Sequence, residues 1–159
     1  VSATTTTTRA IAHILAAMIE QHEALLEAVR HHQASLRRAD RDGIAEAMKA
    51  QTVAIGRIRQ IDAERREAFG HAMAVQDIAA TLPEAAKAEV LELAGKLRDR
   101  IETVRREQAI VECASRTLLG HMEGLFRQVS ARLSHAGTYG RLGRVDAGQQ
   151  VISGIDLTR

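Results

Sequence analysis

A chain of 159 residues with 26% charged side chains and a formal net charge of only +2 has room for one domain with an appended arm. So even a balance predicts neither strong nucleic-acid binding nor strong membrane binding. Aromatic residues make up 2% of the chain and tryptophan is absent; the apolar bulk is Ala, Leu, Ile, Val and Met, mixed with Arg and Glu. That blend belongs to long helices and coiled coils, not to a sheet-rich globule, and it leaves a thin aliphatic seam as the core.

Cys113 is the single cysteine, which excludes an intrachain disulfide and suits a reducing cytoplasm. It sits in a helical run without a suggested His, Asn or Asp partner, so a buried or half-buried thiol is expected, not a nucleophile. No apolar run approaches the ~20 residues of a membrane span. The opening Val1–Thr8 lacks both the basic and the apolar segments of a signal peptide and reads as a low-complexity lead-in.

Three helices follow. The first is expected near Arg9–Arg38, where Ile11, Leu15, Met18, His22, Leu25, Val29, His32 and Leu36 recur at steps of four and three. That spacing draws one seam along a helix packed against neighbours. Arg37 and Arg38 favour its carboxyl end electrostatically. Asp40-Arg41-Asp42-Gly43 breaks the pattern, with Asp42 the expected N-cap of the next helix.

The second run, Asp42–Ala80, carries Ile44, Met48, Gln51, Ile55, Ile58, Ile61 or Asp62, Arg65, Phe69, Ala72 and Val75. Its polar content predicts looser packing. Leu82-Pro83-Glu84 marks the next boundary, since proline is tolerated in a first helical turn. The third run, Pro83–Ser134, has the strongest seam: Val90, Ala94, Leu97, Ile101, Val104, Gln108, Val111, Ser115, Leu118, Met122, Leu125, Val129 and Leu133. The short connections predict antiparallel neighbours. The fold class is therefore all-α: an elongated antiparallel bundle or coiled coil of three long helices. Its organisation is a lead-in at 1–8, a bundle at 9–136 and a flexible partner-binding tail at 137–159. Because the first helix is shorter than the third, the carboxyl end of the third seam is expected to lack an internal partner.

Seven histidines raise the question of a metal. A di-iron bundle needs paired Glu-x-x-His motifs, with both side chains on one face. The chain has none, and the single Glu67/His71 pair is not a site. The mixed signs of Asp62-Ala63-Glu64-Arg65-Arg66-Glu67 read as a solvated face with weak ion pairs. Gly137-x-x-Gly140-x-x-Gly143 resembles a phosphate loop, but the spacing is loose and a helix, not a strand, precedes it. Those glycines read instead as chain freedom that lets Tyr139 and Leu142 dock in a partner's groove, with an inert terminus as the alternative. The stripe Leu118, Met122, Leu125, Phe126, Val129 and Leu133 is either core or a surface for a partner helix. No catalytic, cofactor or metal residue is expected.

The leading Leu-rich helix and Ile58-Arg59-Gln60-Ile61-Asp62-Ala63-Glu64-Arg65-Arg66 are two of the features by which the chain resembles the FlgN family. The others are Leu118-Leu119 on the long third helix and the tail Thr138-Tyr139-Gly140-Arg141-Leu142-Gly143-Arg144. The likeness spans about Ile14 to Arg144. It departs where the family often has two asparagines before the paired leucines; Glu112 and Ser115 stand there. The resemblance implies a non-enzymatic cytoplasmic export chaperone of the flagellar type III machinery, without cofactors. Its clients would be the carboxyl-terminal helices of hook–filament junction proteins, delivered to an export-gate receptor that the Tyr139 tail contacts. The rival reading is a self-associating helical scaffold using the same seams, its tail inert.

Overall fold

The computed structural model describes residues 2–70 and 73–136. Among them every element is helical: α1 (Ser2–Arg37), α2 (Arg41–Phe69), α3 (Val75–Ala80) and α4 (Glu84–Ala136). The chain divides into two compact units, Val1–Ala114 and Ser115–Arg159, and α4 is shared between them.

Within the first unit, α1 and α2 form an antiparallel hairpin. Gly43 lies beside Ser35, Gln51 reaches His32, and Ala54 shares a buried cluster with Leu25, Leu26 and Val29. α4 runs parallel to α1, since the contacts of the two helices rise together in number. Arg100 pairs with Glu23 at 2.9 Å, Val104 joins the cluster of Leu25 and Val29, and Gln33 bonds the Glu107 carboxylate at 2.7 Å. The core has two parts. Ile11, Leu15, Ile78, Ala79, Leu82, Val90 and Leu97 form one, and Leu25, Leu26, Val29, Ala54 and Val104 the other. Burying each large aliphatic side chain contributes about 1.5–3 kcal/mol.

The expected seam of α1 is buried or half-buried throughout. Its helix begins at Ser2, ahead of the expected Arg9, and takes in the threonine run. Threonine is a weak helix former but not a breaker, and propensity is easily overridden by context.

Three details differ from the sequence reading. The N-cap of α2 is Asp40, not Asp42: its Oδ1 accepts from the Gly43 amide at 3.0 Å. Ala39 adopts a left-handed conformation (φ 53°), and the Asp40 amide bonds back to the Ser35 carbonyl at 2.9 Å. The chain has thus reversed by Asp40, which leaves Asp42 in the first turn, exposed. Second, the α2 seam passes through fully buried Ala47, while Met48 is exposed. The buried residues of α2 are Gly43, Ala47 and Ala54, all small, which lets its backbone lie close to α1.

Third, the run expected as one helix from Asp42 to Ala80 is two. α2 stops at Phe69, where Gly70 turns with φ 92° and its amide closes on the Arg66 carbonyl at 2.8 Å. Glycine alone adopts that backbone without strain. Arg65 Nη1 donates to the Met73 carbonyl at 3.1 Å, and the Asp77 carboxylate accepts from the Ala74 amide at 3.2 Å to start α3. The gain is in packing: α3 delivers Ile78 and Ala79 to the cluster around Ile11, Leu15 and Val90.

Candidate functional site

The apolar spacing of α4 does not change along its length, but its burial does. Val90, Leu97 and Val104 are buried, and Ile101, Val111 and Ser115 are half-buried. From Leu118 onward the large side chains are exposed: Leu118, Met122, Leu125, Phe126, Val129 and Leu133, with Phe126 at 67% and Leu133 at 68%. A single exposed leucine is ordinary, but a run of this size on one helix is a contiguous apolar surface that the described fold leaves uncovered. Leu119, at 61%, belongs with them. The seam spacing missed it because it lies one position off the four-three pattern, although the Leu118-Leu119 doublet was its visible signal. Tyr139 and Leu142, the other expected contact residues, lie outside the described residues.

The polar groups of the helices are largely occupied by the fold. The two seam histidines are buried as expected. His22 Nδ1 donates to the Met18 carbonyl at 2.7 Å, and His32 Nδ1 accepts from Gln51 Nε2 at 3.1 Å. Burial, and secondarily the neighbouring His31, lower the pKa of His32 and keep its ring neutral as an acceptor. Among the described residues no three His, Cys, Asp or Glu side chains gather where they could hold a metal ion. Glu67 is described, but His71, its possible companion, is not.

Cys113 is exposed, not buried or half-buried as its helical setting suggested. Two residues beyond half-buried Val111 is about 200° around the helix, which puts the thiol on the opposite side from the seam. Asp62-Ala63-Glu64-Arg65-Arg66-Glu67 is an ion-paired face, with Asp62 bridging Arg65 at 3.0 Å and Arg66 at 2.6 Å. Half of that expectation needs changing, because Arg65 is half-buried and clamps the Met73 carbonyl. An open hollow lies against Arg59, Asp62, Ala63, Arg66 and Glu67. Its opposed charges neutralise each other and favour no ligand charge. Among the described residues no helix is long and apolar enough to cross a membrane.

What this arrangement can do is present an apolar helical face. In comparison with known proteins, the model of the family described as FlgN protein matches residues 7–147. No curated protein and no solved structure matches the chain.

Proposed function

We propose, on the premise that this chain belongs to the FlgN family of flagellar export chaperones, that it captures its clients on the exposed distal face of α4. The clients are the carboxyl-terminal helical segments of hook–filament junction proteins, held in the cytoplasm and delivered to the export gate. The observation that carries this reading is the run of exposed apolar side chains from Leu118 to Leu133. A client with a sticky amphipathic terminus is kept from aggregating by a complementary helix face. The surface has one aromatic and otherwise aliphatic groups, which suits a partner that must later be released, because the strongest anchors are usually Trp, Tyr and Arg. Tyr139 and Leu142 supply the second contact, to the export-gate receptor.

The test is capture of a synthetic client helix by titration calorimetry. Leu125→Asp and Val129→Asp should each abolish capture while circular dichroism and the unfolding midpoint stay at wild-type values. Unchanged capture, or global loss of helix in both variants, overturns the assignment. Tyr139→Ala should leave client capture intact and weaken binding to the isolated gate receptor; equal gate binding by both proteins removes the tail from the mechanism.

A further inference from the structure

Residues 98, 105, 112, 119, 126 and 133 stand seven apart along α4, and this column changes character at its midpoint. Arg98, Arg105 and Glu112 give way to Leu119, Phe126 and Leu133, and the last three are all exposed. We infer that the distal face of α4 receives two helices side by side, both from one partner chain, where a single helix would leave part of it bare.

The width of the face carries the inference. At about 100° per residue, with Met122 as zero, Leu125, Leu118 and Val129 lie near −60°, −40° and −20°. Leu133, Phe126 and Leu119 lie near +20°, +40° and +60°. They form two rows with Met122 between them, across an arc of about 120°. One partner helix needs only the narrow seam of about two positions in seven, whereas about three in seven make a face for more than one neighbour. Three helices in mutual contact form a triangle, so two partners stand about 60° apart as seen from the axis of the third, here near −30° and +30°. Those directions bisect the two rows. One helix centred on Met122 would leave Leu119 and Leu125 at its margins. A third has nothing to cover, because Gly120 and Gly124 fall near ±160°, on the back of the helix, where an added Cβ would meet nothing within 4 Å.

The first unit, taken by itself, shows how many helices such a stripe takes. Val90 and Leu97 cluster with residues of α1 and α3, and Val104 with residues of α1 and α2. Two helices are used there although the apolar arc is narrower, its seven-residue column being charged. A wider arc does not close with fewer. Charge then tells the two distal grooves apart. His121 and Arg132 flank the Leu125 row near −100° and −80°, and among the described residues that edge carries no carboxylate. Beyond the Phe126 row Glu123 and Arg127 stand together, 3.9 Å apart. The partner helix over the Leu125 row is therefore the one with an acidic flank, while the other meets both signs.

The inference deepens the proposed function and rests on it for the identity of the partner: the client lays a second helix alongside its carboxyl-terminal one. The two ideas fail separately. A helical hairpin captured by a chain that ignores the client's own helices keeps the pair and sinks the client reading. A client helix that saturates the face alone, one per chain, does the reverse.

The experiment titrates the full chain, by calorimetry, with two probes. One is a designed Leu/Ala/Glu amphipathic helix of about 20 residues, long enough for the ~22 Å from Leu118 to Leu133. The other is a hairpin of two such helices joined by a short glycine loop. The single helix should bind at two per chain, and the hairpin at one per chain and about a hundredfold tighter, because its second helix docks intramolecularly. Leu119→Gln with Phe126→Gln should reduce the single helix to one per chain, and so should Leu118→Gln with Leu125→Gln, with circular dichroism unchanged in both. One single helix per wild-type chain at saturation overturns the inference, as does a failure of either probe to bind. A hairpin no tighter than the single helix, or an unreduced count in both double variants, overturns it equally.

Discussion

One helix, α4, carries one apolar rhythm through two units with opposite outcomes. In Val1–Ala114 that rhythm is core: Val90 is fully buried, and Leu97 and Val104 are nearly so. In Ser115–Arg159 the same rhythm is surface, from Leu118 to Leu133. Periodicity therefore reports that a face wants cover, and it does not report who supplies the cover. In the first unit the supplier is the rest of the chain; in the second, by our proposal, it is another molecule.

The contrast predicts its own ways of failing. Leu15→Ala, in the buried cluster, should lower unfolding free energy by about 2–5 kcal/mol. Leu125→Ala, exposed, should change it by no more than about 0.5 kcal/mol. Urea denaturation reads both, and similar losses would mean that the distal face is core after all.

Glycines sharpen the same comparison. A Cβ at Gly43 would sit 2.5 Å from both Asp40 Oδ2 and Ser35 Oγ, whereas one at Gly120 would meet nothing within 4 Å. Gly43→Ala should cost about 1–3 kcal/mol through overpacking at the hairpin turn. Gly120→Ala should instead stabilise by up to about 1 kcal/mol, from helix propensity alone. Thermal unfolding that moves both midpoints in one direction would contradict the picture.

A smaller effect follows from His32. Its pKa is lowered in the folded chain, so the unfolded chain binds the proton more readily. Its share of stability is complete above the unfolded value of about 6.5 and declines as pH falls through that value toward the folded one. His32→Gln should flatten the unfolding midpoint between pH 7.5 and pH 5.5; a wild-type profile in the variant would show that the acid sensitivity lies elsewhere. The smallest effect is expected at Lys96, whose pair with Glu92 at 2.7 Å lies between exposed side chains and lowers the Glu92 pKa. Lys96→Ala should leave the melting temperature within error, as isolated surface pairs usually do.

The helices and the α1 seam were legible because burial there follows the four-three rhythm and nothing local opposes it. Pro83, just ahead of Glu84, marked a real boundary, and the Asp40-Arg41-Asp42-Gly43 break fell at the junction of α1 and α2. The break after Phe69 was not read, because its apolar rhythm carries on past Gly70 to Val75; the deciding interactions are the Arg65 bond to Met73 and the Asp77 cap, which are tertiary and local details that periodicity does not encode. Met48 was mistaken for core for a different reason. Neighbouring Ala47 and Met48 can both face inward on a helix, and close approach to α1 selected the smaller. At the candidate site the distal stripe was legible from helix lengths, since α1 is too short to match α4. Leu119 was not, because a doublet fits the four-three pattern at only one of its members.

The parallel alignment of α1 and α4 also has a consequence in time. α1 and α2 are sequence neighbours joined by three residues, so their hairpin closes a short loop. The α1–α4 contacts join residues such as Glu23 and Arg100 or Gln33 and Glu107, far apart in the chain, and contacts of that range form slowly because a long loop must close first. A ribosome therefore exposes the hairpin before the segment that completes its cover emerges, and until Val90 to Val104 do so the nascent chain carries Leu15, Leu25 and Val29 only partly covered. For that interval the protein is itself the kind of unprotected amphipathic helix it is proposed to shield.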